Sequence, residues 1–238
     1  MDLQECFDRV SAGRDVGSLT VRYGQYSELK HFWRTNGSGI EFVISDYMID
    51  APEDVMLSLA NYLVDRSLHG SVNRTHEDRY LDYVHSKEFW SRNRSMYLSR
   101  SKNLILESKG ACHDLGTVFD YVNSNYFDSR IEVPVLAWTK ESPRSRVGYY
   151  FGAIGLLAVN KVLDTKAVPR FVLEFVMYHE LLHHVDSISG RPVRRVRHTR
   201  EFRAQERRFS SYVEAEQWLS RIVREQGSKN RSRGVPQG

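Results

Sequence analysis

Apolar and polar positions alternate in two early stretches of the chain. Leu19, Val21 and Tyr23 alternate with Thr20 and Arg22, and Ile40, Phe42 and Ile44 alternate with Glu41, Val43 and Ser45. A period of two is that of a β-strand. Between His31-Phe32-Trp33 and Ile40-Glu41-Phe42 lies Asn36-Gly37-Ser38-Gly39, whose Asn-Gly supplies the positive φ angles of a tight turn and predicts a hairpin. The period then lengthens. Val55, Leu59, Tyr62 and Leu63 mark one face of a helix over about 52–68, with Pro52 suited to its first turn, Glu53 and Asp54 at the positive end of its dipole, and Gly70 to end it. Tyr80, Leu81, Tyr83 and Val84 predict a short helix over 78–86, whereas the polar, basic stretches 91–95 and 99–102 read as solvated loop.

The pattern strengthens from residue 111. Leu115, Val118, Phe119, Val122 and Tyr126 fall at helical spacing, and strands are predicted over 131–138, 146–151 and 154–159, separated by Glu141-Ser142-Pro143 and Gly152. A long apolar run from Phe171 to Val185 predicts a helix starting near Pro169, with Phe171, Val172, Phe175 and Val176 turned to the core. Gly190-Arg191-Pro192 closes that region. His198 opens another helical stretch with Phe202 and Phe209 on its buried side, and a last helix over 212–223 carries Ala215, Trp218, Leu219 and Ile222. Helix, strands, long helix and further helices in that order predict an α+β fold. The domain reading is an N-terminal β-hairpin and helical extension over 1–110 packed on a core at 111–225, followed by a disordered basic tail at 226–238.

Composition narrows this picture. At 238 residues and 41% hydrophobic content the chain can bury a proper core. Neither a signal-peptide pattern nor a membrane-spanning apolar segment is present, so a cytoplasmic location without a membrane partner is expected. With only Cys6 and Cys112, a disulfide framework or a four-cysteine zinc ribbon is excluded, and both cysteines read as packing residues. The net charge of +4 is modest. Its distribution is not, because Arg191, Arg194, Arg195, Arg197, Arg200, Arg203, Arg207 and Arg208 are opposed only by Glu201 and Glu206.

Inside the apolar run stands His179-Glu180-Leu181-Leu182-His183. Side chains four apart stack on one helix face, so both imidazoles can reach a single cation. Glu180 sits about 100° round, near the metal without filling a coordination site, where a general base for a water is needed. Zn2+ is the expected cofactor. Catalytic zinc usually takes three protein ligands, and a metzincin pattern would put the third histidine at Ser189 and its glycine at Asp186, so that pattern fails. His184 points away from its neighbour His183. Glu201, Glu206 and Glu214 are available on following helices, but His198, placed after one irregular connection, ranks first as the third ligand.

Together, Asn123-Ser124-Asn125-Tyr126-Phe127, the strand ending Ala137-Trp138, Arg146-Val147-Gly148-Tyr149-Tyr150, the stretch 154–160, the His179 to His183 motif and His198-Thr199-Arg200-Glu201-Phe202 resemble a SprT-like zinc metallopeptidase domain over roughly 111–210. The resemblance implies a zincin-like core of helix, antiparallel strands, HExxH helix and C-terminal helices, with His179, His183 and His198 on zinc and Glu180 as base. It departs where members often have Gly after the third histidine: Thr199 stands here, a residue able to cap the next helix. It gives no role to 1–110.

The activity expected is hydrolysis of peptide bonds in protein or peptide substrates, with an extended substrate beside 154–159 as edge strand and an oxyanion donor from Tyr149, Tyr150 or an arginine. Two rivals stand beside it. One is a nucleic-acid-binding protein with a structural or vestigial zinc site, its phosphate contacts from the Arg191 to Arg208 patch, Arg92, Arg94, Arg100, Lys102 and the tail, a role compatible with a protease acting on DNA-associated proteins. The other is a zinc hydrolase of a non-peptide substrate.

Overall fold

A computed structural model describes residues 2–37, 39–70, 72–140, 146–188 and 198–231. In the first of its two units, Met1–Lys102, helix α1 (Leu3–Ser11) is opened by Asp2 and Glu5 in a reciprocal capping box and buries Cys6, Phe7 and Val10. Strands β1 (Ser18–Gly24), β2 (Phe32–Asn36) and β3 (Gly39–Ser45) follow. The hairpin forms as expected: β2 runs antiparallel to β3, with Gly37 at φ +54 between them, while β1 lies parallel to β3 on its other side. Helix α2 (Glu53–His69) takes Pro52 as its N-cap, one residue before the first turn, and ends at Gly70 in the left-handed region. Helix α3 (Arg74–Val84) starts earlier than expected because the Asn73 side chain caps it by accepting from Thr75 N–H.

The stretch read as solvated loop is instead helix α4 (Lys87–Arg100). Ser86 caps it by accepting from Phe89 N–H, and Phe89, Trp90 and Asn93 are buried. One buried edge of aromatic and amide side chains is enough to hold a helix whose remaining positions are polar. This pairing also consumes cations that could have met phosphate: Arg100 makes two hydrogen bonds to the Asp46 carboxylate at 2.8 and 2.7 Å, and Arg92 pairs with Glu88.

His31 is held between β3 and α3. Its Nδ1 accepts from Ser45 N–H at 3.2 Å, which leaves the ring proton on Nε2 for the Tyr80 hydroxyl at 2.9 Å. Burial pushes its pKa from 6.5 down to about 4.

The second unit is Asn103–Gly238. It begins eight residues before the expected boundary, because β4 (Leu104–Ile105) pairs with β5 (Val135–Thr139) and Ser108 O accepts from Trp138 Nε1. Between these strands lies α5 (Leu115–Tyr126), capped by Asp114. Strands β6 (Gly148–Phe151) and β7 (Leu156–Asn160) complete a sheet of order β4-β5-β7-β6. Two expectations are corrected here. The sheet is mixed, because β5 and β7 are parallel while β6 is antiparallel to β7. Residues 154–159 are not at an edge: β7 lies inside the sheet with all its residues buried, and β4 and β6 are the edge strands. The turn at Gly155, φ +60, folds β7 back beside β6, and the pairing of β7 with β5 on its other side leaves β6 outermost.

Helix α6 (Arg170–Ile188) runs through the middle of this unit, against α5, β6 and β7 on one side and α7 (Arg200–Glu206) and α8 (Tyr212–Arg231) on the other. Val172, Leu173, Phe175, Val176, Met177, Tyr178, Leu181 and Leu182 are all buried, which accounts for apolar positions around nearly the whole circumference. Helix α8 reaches Arg231, so residues 226–231 of the expected tail are helical; 232–238 lie outside the described residues, as does the 189–197 segment. Cys6 is buried as expected, but Cys112 is exposed. Ahead of α6, the Asp164 carboxylate accepts the backbone N–H groups of Ala111, Cys112 and His113, tying the loop before α5 to the loop before α6. Gly110 makes that approach possible. No helix among the described residues is long and apolar enough to cross a membrane.

Two outcomes follow from these contacts. The unfolded chain takes up a proton on His31 near pH 6.5 and the folded unit only near 4, so its contribution is present above pH 6.5 and lost as pH falls. Between pH 7 and 5 the wild type should lose about 2 kcal/mol more than His31→Gln, read by urea unfolding at each pH. In Gly110→Ala the new methyl would stand 2.5 to 2.7 Å from Asp164 carboxylate atoms. The expected cost is about 1–3 kcal/mol, seen as a lower denaturant midpoint at unchanged slope.

Candidate metal centre

The apolar face of α6 fixes where its polar residues emerge. With Phe175, Val176 and Leu182 buried, His179 and His183 come out together one turn apart at the wall of a cleft of about 410 Å³. Helix α7 brings the third imidazole. Thr199 caps it, its Oγ1 accepting from Phe202 N–H at 3.1 Å, and His198 immediately precedes the cap. The ring nitrogens of His179, His183 and His198 lie within 4.8 Å of one another. His183 Nε2 is 3.2 Å from His179 Nε2 and 3.3 Å from His198 Nε2. Tetrahedral zinc at about 2.0–2.1 Å from each nitrogen would set its ligands about 3.3 Å apart, so the two spacings at His183 fit the ion.

Two further side chains hold the three rings in place, and motif spacing alone had not given their roles. Glu206, at the end of α7, places Oε1 2.6 Å from His179 Nδ1. A carboxylate on one ring nitrogen holds the proton there and frees Nε2 as a lone-pair donor. Glu206 therefore stands behind a ligand and is not itself one; Glu201 and Glu214, the other glutamates considered, are exposed and outside the histidine cluster. Phe202, 3% exposed, stacks on the His183 ring at 4.5 Å between centroids and also touches His179 and His198. Its signal was visible as the apolar residue four after His198; that of Glu206 was its place four residues after Phe202 on the same helix face.

The electrostatics divide the three rings. Burial opposes a proton on His179, but the Glu206 hydrogen bond and the charges of Glu180, Glu206 and Glu216 outweigh it and raise its pKa. For Glu206, burial is outweighed by the bond to His179, and its pKa falls. Burial, then the charge of His179, pushes His183 down to about 3 and also lowers His198. Neutral imidazoles with inward lone pairs are the form a divalent cation needs.

Glu180 is buried, at 5% exposed, on the side of α6 facing β6. Burial pushes its pKa up to about 7, against the pull of His179, Arg146 and the Tyr150 backbone N–H. Gly148 makes room for it: a Cβ there would lie 3.2 Å from Glu180 Oε1 and 2.9 Å from Val176 Cγ1. Of the tyrosines considered as oxyanion donors, Tyr150 has its hydroxyl 2.5 Å from His184 Nδ1, whereas Tyr149 lies under the Arg146 guanidinium. Arg191, Arg194, Arg195 and Arg197 lie outside the described residues; Arg200, Arg203, Arg207 and Arg208 are exposed, and Arg203 is near enough to lower the pKa of both His198 and Glu206.

No family model, no curated protein and no solved structure matches the chain.

Zinc content by elemental analysis should be one per chain in the wild type and near zero in His179→Ala and His183→Ala. Glu206→Ala should keep the fold yet weaken zinc affinity about 10- to 100-fold in a chelator competition.

Proposed function

We propose that the second unit is a zincin-like zinc metallopeptidase core that hydrolyses peptide bonds of protein or peptide substrates, with His179, His183 and His198 as the zinc ligands and Glu180 as general base. One observation carries the reading: three imidazole nitrogens converge within 4.8 Å, two of their pairs at zinc-ligand spacing, beside a buried carboxylate at the wall of an open cleft. Zinc held there would supply Lewis acidity, lowering the pKa of a water and polarising a carbonyl.

The chain's own residues do the rest. Glu180, with a pKa near 7, can accept a proton from the attacking water at neutral pH and return it to the departing amine nitrogen. Its burial keeps bulk water from taking that proton instead. Strand β6 lines the cleft as an edge strand, a place where an extended peptide can add beside the sheet. The cleft also offers apolar surface from Val147, Phe175 and Leu219, with Arg146, Glu206 and Glu216 beside Glu180 as its guanidinium and carboxyl groups. The likeness of the motifs to SprT-like metallopeptidases supports the same reading.

Glu180→Gln should retain one zinc per chain while the rate of cleavage of an unfolded protein substrate falls at least about 100-fold. Cleavage at the wild-type rate by the zinc-loaded variant would sink the mechanism. Mass spectrometry of the products should find new peptide amino termini; hydrolysis of small esters or amides without peptide cleavage would instead indicate a non-peptide substrate.

A further inference from the structure

Strand β6 and helix α6 meet along a matched register. Four helical residues advance about 6 Å and two strand residues about 6.6 Å, so alternate strand positions can follow successive helix turns. Val176, Glu180 and His184 form such a stripe on α6, and Gly148 and Tyr150 face it from β6. Gly148 packs at Val176 and Glu180. Tyr150 reaches the next two: its backbone N–H donates to the Glu180 carboxylate, and its hydroxyl shares a hydrogen bond with His184 Nδ1 at 2.5 Å. The rings of Tyr150 and His184 also meet edge to face, with centroids 5.1 Å apart.

One residue thus carries two attachments, one to Glu180 and one a turn further along. We propose that Tyr150 and His184 are positioning residues: their hydrogen bond pins β6 to α6 and thereby keeps the Tyr150 N–H on the Glu180 carboxylate, so that the carboxylate presents a fixed edge to the cleft. The proposal rests on Glu180 being the base. Among the described residues, a buried carboxylate without this N–H has the charges of His179 and Arg146 to hold it, and a carboxylate free to rotate presents the wrong oxygen part of the time. A tyrosine hydroxyl that merely satisfies its own hydrogen-bonding need would leave Glu180 indifferent to the loss of His184.

The experiment uses the full chain loaded with zinc, as wild type, Tyr150→Phe, His184→Ala, the double variant and His184→Gln. Zinc content and melting temperature are recorded for each. For peptide cleavage, each single variant should lose about 10-fold in kcat with KM within about twofold, and the double variant should be no worse than either single. His184→Gln, which can still bond the tyrosine hydroxyl, should recover most of the loss. Amide hydrogen exchange at Tyr150 gives an independent readout and should be at least about fivefold faster in His184→Ala, with amides of β7 unchanged. Additive losses in kcat, a change confined to KM, or unchanged exchange at Tyr150 would overturn the proposal. If the wild type cleaves no peptide but exchange at Tyr150 still responds to His184, the anchor stands and the peptidase reading fails.

Discussion

His183 Nε2 stands 3.2 and 3.3 Å from the Nε2 atoms of His179 and His198, and lone pairs that close repel unless positive charge lies among them; the packing of the second unit is what keeps them there. A solvated helix would let its histidines turn outward. Here α6 is enclosed by the sheet, α5, α7 and α8, so its exposed arc is narrow and His179 and His183 have few other directions. Phe202 closes the space beneath all three rings, and Glu206 fixes the orientation of one. Burying such side chains costs hydration that only partners or an ion can offset. Enclosure thus places His179 and His183, whereas His198, which is exposed, is placed by the Thr199 cap that follows it.

The same enclosure acts on Glu180. A carboxylate at 5% exposure loses most of its hydration, and its pKa rises to about 7 despite three stabilising neighbours. Had Gly148 been any other residue, its side chain would occupy the space of that carboxylate or of Val176. Burial of the helix, absence of a side chain on the facing strand, and the raised pKa of the Glu180 carboxylate therefore share one cause.

How much of this was legible in the sequence follows from the range of the interactions. The hairpin at Asn36-Gly37, helix α2 with its glycine stop, the start of α6 at Pro169 and the Thr199 cap all depend on neighbouring residues, and sequence pattern found them. So did the His179 and His183 pair, fixed by helical period alone. Helix α4 was missed because its buried side is short and most of its residues are polar, so the decisive contacts are tertiary. Strand order was missed for a related reason: the residues of 154–159 say that the strand is buried, not which neighbours bury it. A continuous apolar run, Leu156-Leu157-Ala158-Val159, was in fact the mark of an interior strand. Glu206 and Tyr150 act through partners 27 and 34 residues away, so local pattern can place Glu206 on the face of Phe202 but cannot name either partner.

The arrangement also bears on whether a metal here would be catalytic or merely structural. Structural zinc sites close all four positions with protein ligands, whereas catalytic ones keep one open. Among the described residues the converging donors are three histidines, and the carboxylate nearest to them, Glu206, is engaged on the far nitrogen of His179. His198 is exposed and the cleft opens beside it. A site meant only to hold the fold together gains nothing from a buried carboxylate poised near neutrality next to an open side; a hydrolytic one requires both. On the proposed reading Glu180 is the residue that separates a catalytic ion from a structural or vestigial one, because its burial at 5% exposure is something that holding an ion alone does not demand.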